Sequence, residues 1–182
     1  MWSSRLEHRN GPAPSVQYHT LTEYGREIAV SAAAFRPVTY KPNGDLTRCY
    51  KIHKEPKTWA DAYMTCEVEK SYLAIIDDKE EADFIVNGIK PLFDEIPGNY
   101  NKTLISVGFH DKFKEGIFLT VKGKSLNTAY NIWAAGQPDD EFGNDDCGAI
   151  SVRGQLHDMP CDNQRTLFVC ERDISQLKSS GA

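Results

Sequence analysis

Two periods of apolar and polar residues run along this chain, one helical and one strand-like, and they divide it into stretches. Residues 1–36 are polar, contain "GPAP" and sustain neither period, so they read as a flexible N-terminal tail. Only "LTEYGREIAVSAAAF" in that stretch suggests a short helix. A compact domain is expected over residues 37–174, starting near "RPVTY", and residues 175–182 form a C-terminal tail. "CYKIHK" (49–54) reads as a strand. In "KTWADAYMTCEVEK" the larger apolar residues Trp59, Tyr63 and Cys66, with Ala62 between, recur at helical spacing. Thr58 is placed to cap that helix, with Asp61 three residues on. "SYLAIID" (71–77) predicts a second strand. "DKEEADFIVNGI" (78–89) predicts a second helix, which opens on acids at its positive end and stops near Gly88 and Pro91.

From residue 104 the period changes. "LISVGFH", "GIFLTV", "CGAISV" and "TLFVCER" are short β-rich runs separated by turn residues. The order strand, helix, strand, helix and then several strands gives an α+β class. The stretch 122–146 has little regular pattern, and a long irregular loop within a compact domain is often functional.

Length and charge narrow the possibilities. The 182 residues, 40% of them hydrophobic, suffice for one domain of ordinary size with a real core. A net charge of -5 disfavours sequence-independent nucleic-acid binding and a polybasic membrane anchor. No apolar run is long enough to span a membrane. The N-terminal residues "MWSSRLEHRN" lack the apolar core of a signal peptide, which leaves either a trimmed form or another route of export. Cys49, Cys66, Cys147, Cys161 and Cys170 include no C-x-x-C pair, which speaks for an oxidising, extracellular setting over a zinc knuckle. "NKT" at Asn101 is a glycosylation sequon.

The irregular stretch contains "GQPDDEFGNDDCGAI", with five carboxylates between Asp139 and Asp146. Such crowding fits either a solvated acidic loop or a cation site. Calcium takes six to eight oxygen ligands, and Gln137, Asp139, Asp140, Asp145 and Asp146 offer that chemistry. Asp111 and Glu115 precede the loop, and Asp158 comes after a strand. The spacing is not that of an EF-hand.

"GQPDDEFGNDDC", followed by "LHDMPC", resembles the C-type lectin domain. The likeness covers about residues 38–172: "TWADAYMTC", "LAIIDDKEEADFI", "VGFHD" in place of the family's W-I-G-L-like strand, "YNIWAAGQPD", "CGAI" and "FVCER". It implies two helices packed on antiparallel sheets with a long calcium-binding loop, and no catalysis. It implies disulfides joining Cys66 to Cys170 and Cys147 to Cys161, the second closing a loop worth about 3 kcal/mol. Cys49 occupies one half of an extra N-terminal pair that longer members have, and stands either as a buried thiol or as an intermolecular bridge. Trp59 and Trp133 fall at core positions.

The resemblance also implies a ligand set. The sugar-binding calcium site would use Gln137 and Asp139, then Asp145, then the positions of His157 and Asp158, with a cis peptide before Pro138. Q-P-D is the family's galactose-type triplet. A second calcium site would use Asp111, Glu115, Asp140 and Asp146, with Asp145 shared; a solvated turn is the competing reading for Asp111 and Glu115. His157 replaces an Asn, and imidazole is a poor ligand for a hard cation. It fits a surface histidine, or a donor to a sugar hydroxyl that makes binding pH-sensitive. Leu156 replaces a tryptophan. Phe142 is placed either to pack on the apolar face of galactose or to pack locally.

The chain further resembles the hemolymph lectins of invertebrate immunity, including lipopolysaccharide-binding ones. That implies a secreted, Ca2+-dependent carbohydrate binder of microbial surface glycans, oligomeric because single-site lectin affinity is weak. The alternative is a lectin-like domain that binds a protein partner without calcium or sugar. No nucleophile elbow, H-E-x-x-H or P-loop supports an enzyme.

Overall fold

A computed structural model describes residues 21–23, 26–28, 41–42 and 48–173. The chain divides into two units, Met1–Val38 and Thr39–Ala182. In the first, β1 (Leu21–Glu23) pairs antiparallel with β2 (Arg26–Ile28). The short helix expected there is therefore corrected over these residues. Only two residues, one of them Gly25, separate the strands in sequence, the connection length that a hairpin favours. The rest of the expected N-terminal tail, and residues 175–182, lie outside the described residues.

In the second unit the strands are β3 (Lys41–Pro42), β4 (Arg48–Lys57), β5 (Tyr72–Leu73), β6 (Asn101–His110), β7 (Leu119–Thr120), β8 (Cys147–Ser151), β9 (Leu156–Met159) and β10 (Thr166–Asp173). The helices are α1 (Trp59–Val68), α2 (Lys79–Ile89) and the short α3 (Leu92–Glu95). One mixed sheet runs β3-β4-β10-β6-β8-β9, with β5 added on β10 and β7 on β6. β10 pairs antiparallel with β4 and parallel with β6.

The helices start where the sequence places them. Thr58 accepts a hydrogen bond from the Asp61 amide and caps α1, while Asp78 accepts from Glu81 and caps α2. Trp59, Ala62 and Cys66 bury one face of α1, and Ala82, Ile85, Val86 and Ile89 one face of α2. The indole of Trp59 donates to the Val107 carbonyl at 2.8 Å. Trp133 packs on Phe118 and Phe109, with ring centroids 4.9 and 5.6 Å away. Both tryptophans therefore serve packing.

The strand expected over residues 71–77 keeps ladder pairing only at Tyr72 and Leu73. Beyond them the backbone bonds to several elements in turn. The Ala74 amide donates to Val169, that of Ile75 to the Glu171 carboxylate, and the Ile76 carbonyl accepts from Tyr130. Glu171 is a charge buried inside an apolar strand. Burial, then the charge of Glu81, pushes its carboxyl up to about 7. It accepts from Tyr72 and pairs with Arg48, which also binds Asp77 and Glu81. The strand expected over "GIFLTV" likewise shortens to Leu119–Thr120.

Two glycines let strands approach closely. A Cβ on Gly108 would lie 2.2 Å from the Leu73 carbonyl oxygen, and one on Gly148 would meet the Phe109 ring at 2.5 Å. The sheet therefore requires glycine at both places.

Candidate functional site

The long segment after β7 leaves the sheet, forms 3-10 turns at Leu126–Thr128 and Glu141–Gly143, and returns as β8. Its far part carries the acids, and β9 and the loop after β6 meet it there. The Gln137-Pro138 peptide is cis. Gln137 and Asp139 flank it, and both meet Asp158. The Asp158 amide donates to Gln137 Oε1 at 3.1 Å. The Asp158 carboxylate accepts from the amides of Asp139 (3.1 Å) and Asp140 (2.8 Å). Asp158 is 5% exposed and lies within β9, opposite Gly148. Asp158 comes after a strand, β8, as the sequence predicts; β9 itself was not expected from the sequence.

Asp140 has a left-handed backbone (φ 43°), and its Oδ1 accepts from the Asp145 amide at 3.1 Å. Asp145 is 8% exposed and its Oδ1 is buried without a hydrogen-bond partner. Burial, then the charges of Asp158, Asp139, Glu141 and Asp140, pushes its carboxyl up to about 6. His157 neighbours this set on β9; burial lowers its pKa, and the charges of Asp158 and Asp139 pull it the other way.

The second group closes more tightly. Carboxylate oxygens of Asp111, Glu115 and Asp146 lie within 4.8 Å of one another. The Asp111 amide donates to the Asp146 carbonyl at 3.0 Å, and Asp111 Oδ2 accepts from Gly116 at 2.8 Å. Asp111 is 1% exposed, and its Oδ1 has no partner. Burial, with Glu115 and Asp146 adding, moves its carboxyl up to about 6. Asp140 is not in this three-residue group: its carboxylate is engaged at Asp145. The other close group, His53, Glu69 and Cys170, is no cation site, because the sulfur of Cys170 is in a disulfide.

A buried carboxylate oxygen without a partner is costly. Asp111 and Asp145 each have one; the Asp111 carboxylate lies in a close group with Glu115 and Asp146, and the charges of Asp158, Asp139, Glu141 and Asp140 act on that of Asp145. That donor chemistry fits calcium. The sequence did not reveal that Asp158 joins the Gln137 side chain to the Asp139 and Asp140 amides.

Cys66 is bonded to Cys170 and Cys147 to Cys161. The second disulfide ties the start of β8, beside the acids, to the turn after β9. Cys49 is a buried free thiol, and burial leaves its sulfur little access to a second chain. Asn101 lies at the opposite end of β6 from Asp111, its Oδ1 accepting from the Thr103 and Leu104 amides.

Residues 55–172 match the family model described as Lectin C-type domain. The chain belongs to the C-type lectin family. Domains of this family are non-catalytic and generally bind calcium. A hemolymph lipopolysaccharide-binding protein of Periplaneta americana is 38% identical to the lectin domain over 130 residues, 69% of this chain and 49% of that one. The galactose-specific lectin nattectin of Thalassophryne nattereri is 27% identical over 150 residues, covering 82% of this chain and 88% of that one. Among solved structures, the mouse scavenger receptor C-type lectin carbohydrate-recognition domain superposes with a TM-score of 0.62 at 26% identity, covering 75% of this chain and 97% of that one. The chain spans about half the length of the hemolymph relative and 38% of mouse asialoglycoprotein receptor 2. No described helix is long and apolar enough to cross a membrane.

Proposed function

We propose that this lectin domain, residues 37–174, binds carbohydrate through calcium held by Gln137, Asp139, Asp145 and Asp158, with galactose-type sugars as ligands. The observation that supports the reading is the closure of the Q-P-D segment on Asp158, whose amide donates to the Gln137 side-chain oxygen and whose carboxylate accepts from the Asp139 amide. When bound, calcium supplies a hard centre that takes sugar hydroxyls as ligands. Gln137 offers a carbonyl and an amide donor, and the acids offer acceptors only, so hydroxyl orientation is selected around the ion. His157 is assigned a hydrogen bond to a sugar hydroxyl, and Phe142 the apolar face of the ring. Asp111, Glu115 and Asp146 would hold a second ion, with Asp145 shared and Asp140 holding Asp145 in place.

The name of the hemolymph relative and that of nattectin support microbial glycans and galactose as ligand classes. The two disulfides suit secretion, with Asn101 as a glycan acceptor. The test is retention on galactose-agarose and mannose-agarose. Retention on galactose with calcium and release by chelator is expected. Passage through both columns with calcium present would favour a protein partner instead.

Protons compete with calcium for the same oxygens. With Asp145 and Asp111 both at about 6, each acid raises the apparent calcium dissociation constant by about tenfold between pH 7 and pH 5. In the ion-free chain these raised carboxyls stabilise the fold at low pH, and that contribution is lost as pH rises from the ordinary carboxylate range through about 6. Calorimetric titration at the two pH values checks this; equal constants would remove both acids from the sites.

A further inference from the structure

The loop between β6 and β7, residues 111–118, carries an aromatic that the sugar site does not use. Phe113 is 83% exposed, against 42% for Phe84. It is held in place all the same. A file of rings leads out from α1 to the surface: Tyr63 to Trp59 at 5.6 Å, Trp59 to His110 at 5.8 Å, and His110 to Phe113 at 5.3 Å. Two turns brace the loop, from the Lys114 amide to Asp111 (2.8 Å) and from the Ile117 amide to Lys114 (3.0 Å). Ile117, four residues on in the same loop, is 52% exposed.

The tip carries two exposed cations, while its two acids, Asp111 and Glu115, gather with Asp146. Lys112 and Lys114 flank Phe113, both exposed, and among the described residues neither is paired with an acid. An aromatic fixed outward between two free lysines matches a surface that is apolar beneath an anionic layer. The ordering of the tip is already achieved by folding, so little is lost on contact. The lysines would meet phosphates while the ring and Ile117 enter the acyl boundary.

We infer that the Phe113 tip, with Lys112, Lys114 and Ile117, docks on an anionic lipid surface. The contact shares its loop with Asp111 and Glu115 of the proposed second ion site, but none of its side chains is a proposed ion or sugar ligand, so vesicle binding in chelator and sugar retention in calcium can fail independently.

The test is cosedimentation of the full chain with phosphatidylcholine vesicles and with equal mixtures of phosphatidylcholine and phosphatidylglycerol. Chelator is present throughout, so that no ion bridges the acids to phosphate. Binding to the anionic vesicles alone, weakened by added salt, is expected. Phe113→Ser lowers the partition by about tenfold or more. The double variant Lys112→Glu with Lys114→Glu lowers it by about 25-fold or more, at roughly fivefold for each lysine. Both variants are expected to keep calcium-dependent retention on galactose-agarose. Equal binding to both vesicles, no binding to either, or variants that sediment like the parent would each overturn the inference. So would a Phe113→Ser variant that loses the sugar column and keeps the vesicles, which would make the ring a glycan platform.

Discussion

Asp139→Ala and Asp158→Ala are each expected to abolish calcium-dependent retention on galactose-agarose, with calcium affinity down by about a hundredfold or more. The two variants reach that result by different routes, which makes the pair informative. Asp139 is exposed, and only its backbone amide is engaged by Asp158. Removing its carboxylate takes away a proposed ligand and leaves the packing alone, so the ion-free melting temperature should stay within a degree or two of the parent. Asp158 is buried and accepts from two amides of the Q-P-D segment. Its loss removes a ligand and also leaves those amides without an acceptor, at a cost of about 1–3 kcal/mol. Asp158→Ala should therefore melt lower even in chelator. Variants that hold galactose with chelator present would show that sugar binding does not run through an ion.

Breaking the Cys66–Cys170 bond by Cys66→Ala with Cys170→Ala is expected to lower stability by about 4–5 kcal/mol, because it frees a loop of about 100 residues in the unfolded chain. Both cysteines are fully buried, one on α1 and one on the central strand β10, so two methyl-sized gaps add to the loss. That is a large part of the stability of an ordinary domain. A fall of about 10–20 °C in melting temperature should follow, read by circular dichroism on the ion-free protein. A double variant melting within about 3 °C of the parent would mean that packing of α1 on the sheet holds the fold without the crosslink.

The helices, the cap of the first and several strands were legible in the sequence because each rests on local signals: Thr58 before one periodic run, acids opening the other, and the apolar "LFVC" within "TLFVCER". The disulfide pairing came from the family resemblance, since spacing alone leaves several pairings open. What the sequence concealed is non-local. Residues 74–76 read as strand because they are apolar, yet their amides and carbonyls bond to β10, to β6 and to Tyr130. "LTEYGREIAVSAAAF" suggested a short helix, but Leu21–Glu23 and Arg26–Ile28 within it pair as antiparallel strands. The acids of the long loop were visible as a cluster. Their division of labour was not: Asp140 holds Asp145, and Asp158 holds the backbone on both sides of residue 139. Those roles depend on where β9 meets the loop, and no local pattern encodes that.

The melting temperature measured in excess chelator, in calcium, and in calcium with galactose is the most direct check on whether the loop acids are ion ligands. A ligand at about 100 times its dissociation constant stabilises by about 2.7 kcal/mol, enough for a shift of several degrees. Calcium should raise the melting temperature, and galactose should raise it further only when calcium is present. A melting temperature unmoved by calcium and by galactose would contradict the ion-centred reading of the loop.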